Sequence, residues 1–191
     1  MKSQRYIITL MAANKVGIVA AVTAALAELG GDVVEVSQTV MQRYFTIILA
    51  AEFPKNRSPQ EIVEHIREVC RPFGIEVNLK DPEQDELQDA AAAERHYLTV
   101  TGEDKPGTIR QIATRLAREG IDITDLYARR GEDRSFILIM ELAVPPGVDA
   151  FALQRDLEEM GQSAGLAAAL QHEAIFAATN DPRPVRVAVP G

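Results

Sequence analysis

Residues 7–17, IITLMAANKVG, align with residues 97–107, YLTVTGEDKPG, at an offset of 90 residues set by Gly17 and Gly107. In the same register Thr9 falls on Thr99, Lys15 on Lys105, Leu26-Ala27 on Leu116-Ala117, Gly30 on Gly120 and Asp32 on Asp122. A one-residue shift at the turn around 42–44 then brings FTIILAAEFP (45–54) onto FILIMELAVP (136–145). Self-similarity at one fixed offset is the mark of a duplicated unit, so the chain is expected to fold as two copies of one small structure.

Each copy reads the same way. The β-prone runs 7–11 and 97–101 predict a first strand. Turn-forming clusters, Ala-Asn-Lys-Val-Gly and Glu-Asp-Lys-Pro-Gly, end it. A helix follows in both, with Ile18, Val22, Leu26 and Leu29 as the inward stripe in the first copy and Ile109, Ile112, Ala113 and Leu116 in the second. Gly30-Gly31 and Gly120 stand where a left-handed helix end needs a residue without Cβ. Second strands are predicted over 32–41 and 122–130, third strands over 45–53 and 136–144, with a connection so short that each pair is an antiparallel hairpin. Second helices are expected over 58–71, with Ile62, Ile66 and Val69 inward, and 149–165, with Leu153, Leu157 and Met160 inward. Ser58-Pro59 has the form of an N-cap followed by proline in the first turn. Last strands are expected over 75–79 and 170–178.

The order is βαββαβ, twice: residues 1–80 and 96–178 as modules, 81–95 as an acidic linker in which 90–93 could continue as helix, and 179–191 as a proline-containing tail. Right-handed crossovers put both helices of a unit on one face of a four-stranded antiparallel sheet. The opposite face then needs a cover, for which a second copy of the module is the natural candidate.

Charge excludes some functions. A net charge of −8 does not suit a general nucleic-acid binder, which needs a basic face. Third strands reading FTIIL and FILIM are apolar rather than aromatic and basic, unlike strands on which RNA bases stack. A single cysteine, Cys70, permits no internal disulfide and suits a reducing compartment. The first ten residues do not read as a secretory signal and no apolar run is long enough for a membrane span, so the expected location is the cytoplasm. His65, His96 and His172 lack partners at metal-ligand spacing, and no nucleophile elbow, phosphate loop or paired-acid motif appears. The expectation is a chain without catalysis, cofactor or metal.

Asp104-Lys105-Pro106-Gly107, between a first strand and a helix, resembles the D-x-P-G turn of ACT domains; the first copy offers the looser Asn14-Lys15-Val16-Gly17. With the βαββαβ order, the resemblance extends over most of residues 5–80 and 96–178. Two such modules are similar to the glycine cleavage system transcriptional repressor group, and the first also resembles the amino-terminal ACT module of formyltetrahydrofolate deformylase, whose catalytic domain has no counterpart here. The resemblance implies an α+β fold of two ferredoxin-like modules. It also implies an amino-acid site where the first-strand loop meets the start of strand two, often at a module interface.

Residue chemistry agrees with such a site. A glycine allows close approach to the backbone, and the free amides of a first helical turn attract a carboxylate. In the second copy these are Gly107, Thr108 and Ile109, flanked by Lys105 and Ile123, with Asp104 or Asp122 to pair an α-ammonium. The first copy offers Gly17, Ile18, Val19, Asp32 and Val33, with neutral Asn14 where the second has an acid. Losing that charge weakens the hydrogen bond by about half, so the second copy is the better ligand candidate. The expected ligand is a small amino acid such as glycine or serine. The expected partners are another copy of the chain and a DNA-binding regulator or an enzyme.

The alternative function is a pure assembly module, and single residues have plainer roles too. Gly17 and Gly107 could serve turn geometry alone, Asp32 and Asp122 could cap turns, and Cys70 could be a small buried hydrophobe. Arg129, Arg130 and Arg134 cluster at the second hairpin, either as a solvated turn or as an anion site.

Overall fold

The computed structural model describes residues 3–54, 57–84 and 92–180. It divides into two compact units, Met1–Gln88 and Asp89–Gly191. The first contains β1 (Ser3–Ala13), α1 (Ile18–Glu28), β2 (Asp32–Met41), β3 (Tyr44–Pro54), α2 (Pro59–Val69), a 3-10 turn at Arg71–Phe73 and β4 (Glu76–Lys80). The second contains β5 (Glu94–Glu103), α3 (Thr108–Arg118), β6 (Asp122–Arg130), β7 (Ser135–Val144), α4 (Ala150–Ala164), β8 (Leu166–His172) and α5 (Glu173–Asn180). The sheets run β2-β3-β1-β4 and β6-β7-β5-β8, every pairing antiparallel. Both are the βαββαβ arrangement expected from the repeat.

Strand alternation builds each core. Tyr6, Ile8, Leu10 and Ala12 of β1 and Phe45, Ile47, Leu49, Ala51 and Phe53 of β3 point to one face, where they meet Ile18, Val22 and Leu26 of α1 and Ile62 and Ile66 of α2. The second core repeats this with Leu98, Val100, Leu138, Met140, Leu142, Ile112, Leu116, Leu153 and Leu157. Helix ends are fixed by side chains as well. The Glu61 N–H donates to Ser58 Oγ at 3.1 Å, and Asp149 Oδ1 accepts from Phe151 and Ala152 at 2.9 and 3.1 Å. Ser58→Ala is expected to lower the stability of the first module by about 1 kcal/mol, read as a shift of its urea midpoint at unchanged slope.

Three expectations need correction. The last strand of the second module lies at Leu166–His172, not 170–178, because α4 is 15 residues long against 11 for α2 and hands directly to the strand through Gly165. The connection from α2 to β4 takes six residues instead. Residues 173–178 are helical, the Ala174 N–H donating to Nδ1 of His172 at 3.1 Å. Ile109 is 39% exposed and outside the α3 stripe, since the helix starts at Thr108 and positions 108, 112 and 116 share the buried face. Met160 is not buried either. Gly161 turns inward in its place, so close to β8 that a Cβ there would lie 2.9 Å from the Leu166 carbonyl oxygen.

Of the expected linker, 81–84 is described, with a short 3-10 turn at Pro82–Gln84, and Glu94 and Arg95 already belong to β5; 85–91 lies outside the described residues. The tail beyond Asn180 lies outside them as well.

Candidate functional site

The loop from β1 to α1 is closed by the Asn14 N–H, which donates to the Arg43 carbonyl at 2.8 Å, and by Lys15 Nζ, 3.4 Å from the Pro72 carbonyl. Gly17 occupies the N-cap with φ 97°, a conformation costly for any residue with a Cβ. Glycine has no side chain to cap the helix, so the amides of Ile18, Val19 and Ala20 have no acceptor among the described residues. They border a cleft of about 400 Å³ formed by the loop, the first turn of α1, and Gln38 and Val40 of β2. The Ile18 side chain is buried in the core, so that residue can offer only its main chain.

The same turn in the second module is drawn tighter. Gly107 is the N-cap with φ 90°, again without a capping side chain. The Thr108 N–H and hydroxyl both donate to the Lys105 carbonyl, at 3.3 and 2.9 Å, and the residue is buried. The amide of Ile109 has no acceptor among the described residues. Asp104 is held by Arg130 at 3.2 Å and Glu103 by Arg134 at 3.5 Å, so two of the three hairpin arginines are engaged with this loop. Arg129 has no acidic partner among the described residues and stands on the sheet face away from the helices, beside Thr101 and Ser135. Lys105 turns toward Gly165, as Lys15 turns toward Pro72. Both lysines brace the loop against the turn that follows the second helix.

The second half of the expected site lies elsewhere within each module. Strands β1 and β2 run in the same direction, because both are antiparallel to β3. The loop after β1 therefore neighbours the end of β2, and Asp32 lies nine residues back along the strand, roughly 30 Å away at ~3.3 Å per residue. Asp32 faces Glu52 across the ladder, and Val33 pairs with Ala51 and packs on the core. Asp122 and Ile123 stand equally far from Gly107, paired with Ala143 and Leu142. Gly17 with Asp32, or Gly107 with Asp122, can share a ligand only when a second module supplies one of the two.

A matched pair of β-bulges follows these strand starts, between Val33 and Glu35 and between Ile123 and Asp125. The two irregularities fall at the same place in the repeat, yet Val34 and Thr124 carry no shared sequence signal for them. Bulges re-aim side chains at the ends of strands, and here they reset which face of each edge strand points at the helices.

Other reactive groups are otherwise occupied. Cys70 is buried in the first core, and burial pushes its thiol above the ordinary value, so at neutral pH it is a thiol and not a nucleophilic thiolate. His96 and His172 meet edge to face at 5.0 Å, with His96 buried. Among the described residues no group of three His, Cys, Asp or Glu could hold a metal ion, and no helix is long and apolar enough to cross a membrane.

Residues 4–80 match the ACT domain, and residues 96–152 match the ACT domain a second time. The chain belongs to the ACT-domain family. Its two ACT modules stand in tandem, and ACT domains are typically regulatory modules that bind amino acids. The match to the second module stops at residue 152, just inside α4, and most of that long helix, the one-residue turn and α5, which distinguish it from the first module, lie beyond that point. A UPF0237 protein of Methanosarcina mazei is 47% identical over 81 residues, covering 42% of this chain and 88% of that protein. A UPF0237 protein of Methanosarcina acetivorans is 37% identical with the same coverage. Among solved structures, a protein from Galdieria sulphuraria superposes with a TM-score of 0.73 at 16% identity, over 90% of this chain and 99% of that one. A candidate glycine cleavage system transcriptional repressor superposes with a TM-score of 0.62 at 15% identity, over 90% and 98%. At such identities the likeness is one of fold.

Proposed function

We propose that this ACT protein is an amino-acid-responsive regulator without catalysis of its own, working in the cytoplasm and passing ligand occupancy to a partner by changing how its modules associate. The observation that carries the reading is the pair of glycine N-caps, each leaving first-turn amides open beside an edge strand. The carboxylate of an amino acid is the group such a helix start holds best, through N–H donors and the positive end of the helix dipole. The ammonium needs an acid, and Asp32 or Asp122 reaches the opposite mouth only from a second copy whose β2 or β6 runs antiparallel along the edge. Binding that draws on either of these aspartates favours the associated state.

Val36, Val40 and Met41 support that edge as an interface, since β2 leaves them 55%, 44% and 71% exposed. Asp104 in this reading exchanges Arg130 for the ammonium, an exposed ion pair of small worth and so readily traded. The proposed ligand is glycine or serine and the proposed role is control of transcription in glycine or one-carbon metabolism through a DNA-binding partner; the name of the candidate repressor supports glycine and transcription. Titration calorimetry across the twenty amino acids tests the reading. Heat from one or a few small amino acids is expected, and silence at millimolar concentrations contradicts it. Gly17→Ala, which places a side chain at φ 97°, is expected to weaken binding at that mouth about tenfold, the ratio equivalent to ~1.4 kcal/mol of backbone strain.

The second reading, an assembly module that binds no ligand, draws on the first mouth. There the acid is replaced by Asn14, and Val16 projects fully into solvent. A stable oligomer together with silence toward every amino acid selects it.

A further inference from the structure

The two modules part company in the charge of their first helices. Helix α3 carries Arg110, Arg115 and Arg118 and no acid, whereas the repeat places Ala20, Ala25 and Glu28 at these positions of α1. The fold thus forms without them. Arg115 has a structural use, its guanidinium 2.9 Å from Glu119 and 2.8 Å from Asp156 of α4. Arg118 sits in the last turn, where a cation suits the helix dipole, but Arg110 sits in the first turn, where the dipole opposes it. Neither has an acidic partner among the described residues. Positions 110, 114 and 118 recur every four residues and so share one helix face. With Gln111, Met160 and the acid-paired Arg115 they line a cleft of about 460 Å³ between α3 and α4, within the size range of small-ligand sites.

We propose that this cleft binds a small ligand bearing phosphate, with Arg110 and Arg118 gripping its oxygens and the Gln111 amide adding a neutral donor. A dianionic phosphate matches the charge of two unpaired guanidiniums and has oxygens enough for both forks, which a single carboxylate does not. The net charge of −8 on the chain repels long polyanions and leaves a compact anion as the fitting occupant. The site is separate from the amino-acid mouths and stands whether or not they bind.

Inorganic pyrophosphate is the probe, followed by calorimetry and by phosphorus NMR line broadening on the full chain. Binding is expected to weaken as salt rises, and to fall about tenfold in each of R110Q and R118Q, with α3 shown intact by circular dichroism. R110K is expected to restore part of the loss, because it keeps the charge and gives up the fork. R129Q removes an unpaired guanidinium elsewhere in the same module and is expected to change nothing. No binding at millimolar pyrophosphate overturns the proposal, and so does an equal loss in R129Q, which would show a diffuse charge effect and no site.

Discussion

Gly102→Ala is expected to destabilise the second module by about 2–5 kcal/mol, the sum of a strained backbone and an overpacked contact. Gly102 has φ 148°, and a Cβ added there would lie 2.7 Å from the Gly165 carbonyl oxygen and 2.8 Å from Leu166 Cδ2. The clash comes from the short path between α4 and β8. One residue separates them, so the turn at Gly165 is pulled directly over the end of β5. The first module holds Ala12 at the equivalent position, buried and in register with Phe45, because its six-residue connection lets β4 begin opposite Met11 and leaves Ala12 room. Urea unfolding with hydrogen exchange checks the prediction. Faster exchange in β5 and β8, with the first module unchanged, is expected; wild-type stability would show that the approach of these strands is looser than described.

Phe53→Ala is expected to cost the first module about 3–5 kcal/mol, the range for removing a buried aromatic ring. Phe53 is 1% exposed, and its ring lies 6.1 Å from that of Tyr6. The ring also covers Gly31, where an added Cβ would come within 2.5 Å of it. The strand entering from α1 is thereby clamped between the ring and the helix end, since the same Cβ would meet the Leu26 carbonyl oxygen at 2.9 Å. Loss of the ring opens a cavity at the start of β2, and the expected readout is a lowered urea midpoint with the largest gain in exchange rate at residues 31–36.

The repeat makes most of this fold legible in the sequence alone. Offsets between glycines and aspartates fix where helices begin and strands resume, and alternation within FTIIL and FILIM tells which face is core. Both second strands run Asp32–Met41 and Asp122–Arg130, the ranges expected from the hairpin chemistry. What the repeat hid is where the copies differ. An alanine-rich run such as Leu166–Leu170 fits strand or helix equally well, and its assignment is decided by pairing with β5, a contact more than 60 residues distant. Ile109 has the composition of a core residue but the wrong angle on the helix, which only the true start at Thr108 reveals. Met160 was displaced by Gly161 for a reason of close packing that periodicity does not carry.

The candidate site was legible by type and not by place. The glycine turns, their lysines and the first-turn amides occur together as the spacing suggests, whereas the aspartates at 32 and 122 stand at the far ends of parallel-running strands. Direction of travel through a crossover sets that separation, and a motif read along the chain does not show it. Nor did the sequence show that Arg130 and Arg134 would fold back on Asp104 and Glu103, because a hairpin and a strand loop meet only in the sheet.

Regulation of the proposed kind depends on the open amides at the helix starts holding the carboxylate of an amino acid. Amide chemical shifts of the full chain, followed as glycine and then serine are added, test it most directly. Saturable changes are expected, largest at Ile18 and Val19 in the first module and at Ile109 in the second. Spectra that stay unchanged at millimolar ligand, or that move only at Thr9, Thr46 and Asn78 on the face of the first sheet away from its helices, would contradict it.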